Sequence, residues 1–194
     1  MNGDGPMTKL KLDLVCQVAV VVWDLESGVE WFRRLLGFDE ATLSFGDSAQ
    51  SFQTGALKDV TYQGKPAASF HYRQSNFFAG GMDIEMFAPA DPEEENPFTD
   101  FLREHGPGIH HLNIRLANRQ EGLEFLTGEL GIAPFFDLMY LGRNCAYFDL
   151  RRELGLVVEV GSRVVGPRAA LPEEALRVLT EYGSKEEANE SDPV

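Results

Sequence analysis

The 194-residue chain has two cysteines, four histidines and 17 basic residues against 31 acidic ones. Cys16 and Cys145 are too few and too far apart to build a disulfide framework. Neither stands at ligand spacing from another cysteine or histidine, so a reducing compartment is expected and a thiolate zinc site is not. A formal charge of -14 and a pI near 4.6 leave no electrostatic footprint for nucleic acid or an anionic membrane. No apolar run is long enough to span a bilayer, and Met1 to Pro6 contain no basic segment leading into an apolar one. The expectation is a cytoplasmic protein that handles a small molecule.

Hydrophobic residues make up 43% of the chain, enough for the core of one domain. The chain is organised around Gly106 to Leu116, a glycine turn feeding a strand that begins with two of the four histidines. Strict alternation places His110 with Leu112, Ile114 and Leu116, and His111 with Asn113 and Arg115. His110 is therefore expected to face the interior. Before it come a β-branched strand from Val15 to Val22 with Gln17 as its one strongly polar member, a helix opened by Asp24 and closed by Gly37, and a strand Met82 to Pro89. After it come a helix closed by Gly131 and strands around Phe135 to Leu138, Cys145 to Leu150 and Leu156 to Val160. The domain is expected over 14–160, as modules 14–90 and 107–160 joined by a linker, 91–106. An N-terminal extension (1–13) and a C-terminal one (161–194), with a helix and an acidic disordered tail, flank it.

The segment from Gly28 to Phe38 aligns with that from Gly122 to Ile132, with matching glycine, glutamate, leucine and closing glycine. Each copy follows an apolar strand and precedes three more. The fold class expected is α+β, with two pseudo-repeated β-α-β-β-β modules forming a curved, partly closed mixed sheet and helices outside. If one residue of difference is allowed in the strand-to-helix loop, Gln17 and His110 take equivalent places, as do Glu85 and Glu159. Both glutamates interrupt apolar strands, where an unpartnered carboxylate costs several kcal/mol. One imidazole and three oxygen donors suit a six-coordinate divalent ion with two open positions; zinc, cobalt, nickel, manganese and magnesium all fit.

The stretches Ile84 to Pro89, Asn96 to His105, Gly108-Ile109-His110-His111 and Gly155 to Val160 together resemble the vicinal oxygen chelate superfamily, and within it the methylmalonyl-CoA epimerases. The resemblance implies metal ligation by Gln17, Glu85, His110 and Glu159, and an enolate formed next to a carbonyl of a small acyl thioester. It makes Glu159 the first candidate for the base, with Glu85 on the opposite face and His71 as a second choice for returning the proton. Two features depart from the epimerases. Gln17 stands where they carry a histidine, as in some glyoxalase I enzymes, and Ala67 to Asn76 offers no third-strand carboxylate. A glyoxalase I-like lyase acting on a glutathione hemithioacetal, and a non-catalytic resistance-type binding protein, are the alternatives. The partners expected are a CoA or glutathione thioester and a second copy of the chain in a homodimer, with no nucleic acid and no membrane.

Overall fold

The computed structural model describes residues 10–67, 70–140 and 143–161. The C-terminal helix and acidic tail expected from the sequence lie outside the described residues. The β-branched run forms β1 (Leu12–Val21), followed by α1 (Leu25–Leu35), β2 (Asp39–Asp47), α2 (Ser48–Thr54), β3 (Leu57–Tyr62), β4 (Lys65–Pro66), β5 (Tyr72–Ala79) and β6 (Met82–Pro89). After α3 (Pro97–His105) come β7 (Gly108–Leu116), α4 (Arg119–Glu124) running into a π-helical turn (Phe125–Glu129), β8 (Phe136–Tyr140), β9 (Arg143–Leu150), the short α5 (Arg151–Leu154) and β10 (Leu156–Val160).

Among the described residues ten strands join one open mixed sheet in the order β2-β5-β6-β1-β7-β10-β9-β8-β3-β4. The first strand of each module lies parallel to its last, β1 beside β6 and β7 beside β10, while β1 and β7 pair antiparallel across the middle. The repeat extends to atomic detail. Asp24 caps α1 by accepting from the Ser27 N–H at 2.6 Å, and Asn118 caps α4 by accepting from the Glu121 N–H at 3.2 Å. A Cβ on Gly28 would lie 2.6 Å from Met86 Sδ, and one on Gly122 would lie 2.2 Å from Leu116 Cδ1. Both glycines are therefore set by the close approach of helix to sheet. Gly37 and Gly131 end the two helical segments with φ of 69° and 67°, a left-handed conformation that costs glycine little.

The two faces of the sheet are covered differently. Outside, α1 buries Leu25 and Val29 against Phe77, Ile84 and Met86, and Leu126 of the π-helical turn packs with Leu116, Phe148 and Val158. Each large side chain so buried contributes about 1.5–3 kcal/mol. α3 differs from the expectation of helices outside, because Phe98 and Leu102 pack against Ala19, Val21 and Phe87 on the concave face. It thus fills one end of the cup. The segment between β2 and β5 also exceeds its counterpart in the second module. From it β3 crosses to pair with β8 at the far end of the other module, with β4 outermost. Among the described residues no helix is long and apolar enough to cross a membrane.

Candidate metal centre

Regular alternation places Gln17 on the concave face of β1, Asp83 and Glu85 on that of β6, and Glu159 on that of β10. β7 is irregular where it matters. Ala19 pairs with His111 and Val20 with Ile109, so His110 is an extra residue in the ladder. Such a bulge breaks alternation and turns the strand. β1 has its counterpart at Cys16, between the pairs Val15–Ile114 and Gln17–Asn113.

The result is a compact donor set. Glu85, His111 and Glu159 each offer an atom within 4.8 Å of the others. His111 Nε2 stands 3.3 Å from Glu159 Oε2 and 4.0 Å from Glu85 Oε2. His111 is fully buried, and its Nε2 has no hydrogen-bond partner among the described residues. Gln17 joins them from β1: its Nε2 donates to Asp83 Oδ2 at 3.1 Å, which leaves Oε1 for the cavity, where the Asn113 amide reaches it at 3.5 Å. Tyr72, Gln74, Leu138, Tyr140, Cys145 and Tyr147 complete the walls around about 40 Å³ of free space. That volume holds two or three waters, or the two oxygens of a chelating substrate.

The electrostatics ask for a cation. Burial, then the nearby Glu159 and Asp83, push the Glu85 carboxyl well above its ordinary range, against the pull of the neighbouring Asn76 amide. Burial raises Asp83 to about 7 despite the hydrogen bond from Gln17 and the neighbouring Asn76 amide. Burial, followed by the charge of Glu159, likewise raises Cys145 and Tyr147. Crowded acids around an imidazole nitrogen that no protein group satisfies fit a divalent ion, whose charge reverses each of these penalties. The oxygen-rich, thiolate-free donors Gln17, Glu85, His111 and Glu159 suit zinc, cobalt, nickel, manganese or magnesium.

Three of the four donors named from the sequence meet here: Gln17, Glu85 and Glu159. The fourth does not. His110 sits beside the donor set and packs against Phe98 and Phe101 of α3, with ring centroids 5.4 and 5.0 Å away; His111 takes the place assigned to it. Alternation holds from His111 onward: His111 and Asn113 share the concave face while Ile114 and Leu116 pack outside, so the site lies on the polar face of the strand and not on the apolar one. A signal was nevertheless present, because the ungapped alignment that matches Gly28 with Gly122 also matches Gln17 with His111. His71 is also displaced. It is exposed, precedes β5, and uses its backbone N–H to donate to Glu94 at 2.6 Å; Tyr72 and Gln74 are the β5 residues that line the cavity. Arg151 pairs with Asp149 and Glu104, away from the donor set.

No curated protein sequence matches the chain. Solved structures do: methylmalonyl-CoA epimerase from Mycobacterium tuberculosis is 17% identical, with a TM-score of 0.50 over 81% of this chain and 92% of that one. A methylmalonyl-CoA epimerase in complex with methylmalonyl-CoA and NH4+ is 15% identical, with a TM-score of 0.52 over 81% of this chain and 100% of that one. A hypothetical protein from Bacillus halodurans is 16% identical, with a TM-score of 0.53 over 78% of this chain and 95% of that one. At such identities the likeness is one of fold. A family model described as the glyoxalase/bleomycin resistance protein/dioxygenase superfamily matches residues 16–131, which span α1 and its repeat and include Gln17, Glu85 and His111 at the module interface. With paired β-α-β-β-β modules and a polar centre where they meet, the chain belongs to that superfamily.

Proposed function

We propose that the protein is a divalent-metal-dependent isomerase of the methylmalonyl-CoA epimerase kind, moving a proton next to the carbonyl of a small acyl thioester. The observation that carries this reading is the buried, unsatisfied His111 Nε2 between Glu85 and Glu159. Gln17, Glu85, His111 and Glu159 would hold the ion. When bound, it supplies Lewis-acid polarisation of the carbonyl and stabilises the charge left by the departing proton.

The chain's own groups do the rest. Glu159 accepts the proton at a carboxylate oxygen, and Glu85, from the other module, returns one from the opposite side. Their pseudo-symmetric placement supports a two-sided exchange. Asp83 holds the Gln17 amide in one orientation, and Tyr72, Leu138 and Tyr147 narrow the cup and limit access of water. Asn113 and Gln74 offer amide groups to a bound acyl oxygen.

A second reading, the glyoxalase I-like lyase, has its own support. Among the described residues lining the cup, the carboxylates are Glu85 and Glu159, so the base must come from the donor set itself. Deuterium incorporation in heavy water, with methylmalonyl-CoA and separately with a glutathione hemithioacetal, separates the readings. Exchange into the thioester alone, lost in Glu159→Gln with metal retained, is the expected result. Tight binding of either compound without exchange would mean a sequestering protein.

A further inference from the structure

His110 Nδ1 lies 2.8 Å from His111 Nδ1. Two ring nitrogens at that distance share one hydrogen, so one donates and the other accepts. The nitrogen at the opposite side of His111, Nε2, faces Glu85 and Glu159. The His110 ring is buried against Phe98 and Phe101, with the Pro97 backbone at the start of α3 as a neighbour that favours a proton on it. Asn96 in turn caps α3 by accepting from the N–H groups of Phe98 and Thr99. A rigid helix therefore holds the His110 ring from behind.

We propose that His110 is a positioning residue, whose Nδ1 accepts from the Nδ1–H of His111 and so locks His111 in the tautomer that presents its Nε2 lone pair to the cation. In this assignment the other nitrogen of His110 carries the hydrogen and turns it toward the backbone of Pro97, which fixes the direction of the chain of hydrogen bonds. The contrast between the modules supports this role. The bulge residue ahead of the donor is Cys16 in the first module and His110 in the second. The first module's donor, Gln17, is an amide with no tautomer to fix; the second module's donor is an imidazole with two. Only the module whose donor needs a fixed tautomer carries a ring beside it.

The part of this inference that concerns affinity rests on the metal reading above, so the experiment separates the two. Two-bond proton–nitrogen spectra of the metal-free, 15N-labelled chain report the tautomer directly. Wild type and His110→Asn, whose Oδ1 also accepts, should show His111 protonated on Nδ1. His110→Phe, which fits between Phe98 and Phe101, should populate the Nε2–H form. Zinc affinity by chelator competition should fall about 10–100-fold in His110→Phe and return to within about threefold of wild type in His110→Asn. Wild-type His111 protonated on Nε2 overturns the proposal, as does a His110→Phe protein that binds zinc as tightly as wild type. If the variants fail to fold, the wild-type spectrum alone decides. A wild type that shows the Nδ1–H form yet binds no metal overturns the metal reading and leaves the hydrogen-bond assignment standing.

Discussion

Gln17 and His111 are one position of the repeat filled by two different donors. Gln17 pairs with Asp83 across the parallel ladder, two residues ahead of Glu85; His111 pairs with Val157, two residues ahead of Glu159. The antiparallel contact of β1 with β7 then brings the four side chains to the seam between the modules.

This arrangement makes His111, not His110, the imidazole whose loss removes a donor. In His111→Ala, zinc affinity should drop at least about tenfold, a loss at least as large as removing an outer-shell partner. Glu159→Gln should lose less than His111→Ala, since its amide oxygen still donates. Metal content after dialysis against a chelator checks both.

His71→Ala should change nothing at the centre. The side chain is exposed and the group it supplies to the structure, a backbone N–H to Glu94, survives substitution. Metal content and proton exchange should match wild type within error. A fall in exchange at constant metal content would restore His71 as the proton donor.

The paired glycines predict unequal penalties. Adding a methyl at Gly28 presses on the end of Met86, a flexible side chain, whereas at Gly122 it presses on Leu116. Overpacking costs about 1–3 kcal/mol, partly offset by about 1 kcal/mol from the better helix propensity of alanine. Gly28→Ala should therefore be near neutral, and Gly122→Ala should be the less stable of the two by urea unfolding.

Asp137 gives a pH dependence that does not involve the centre. Burial raises its pKa, against the Asn144 hydrogen bond and the Arg119 charge. A carboxyl raised on folding adds stability below its unfolded value, near 3.9, and loses it as pH rises through the folded value. Compared with Asp137→Asn, wild type should lose stability between pH 4 and neutrality. Parallel urea midpoints for the two proteins across that range would exclude the effect.

Much of this organisation was legible in the chain. The two glutamates announced themselves as charges inside apolar strands, and the glycine-to-glycine helical match exposed the duplication because both glycine pairs answer to real constraints, close packing and left-handed closure. What failed was the choice of face on the central strand: the donor lies on the polar side with Asn113, and not on the apolar side whose Leu116 packs outside, so one histidine gave way to its neighbour. The β3–β4 ribbon was equally hidden: its strands are short, and their partner, β8, lies some 75 residues further along. Pairing so distant is chosen by tertiary contact, which local propensity does not encode.

The two rims of the open sheet bear on how copies of this protein behave together. Among the described residues the last strand on one side is two residues long, the exposed pair Lys65 and Pro66, one charged and one without an N–H to offer. On the other side β2 starts with Asp39 and Glu40 and finishes with Asp47, all exposed. A sheet of ten strands left unfinished would otherwise be a template for adding an eleventh from another molecule; brevity, proline and like charge discourage that growth. Any self-association is thereby steered away from strand addition and toward packing of faces.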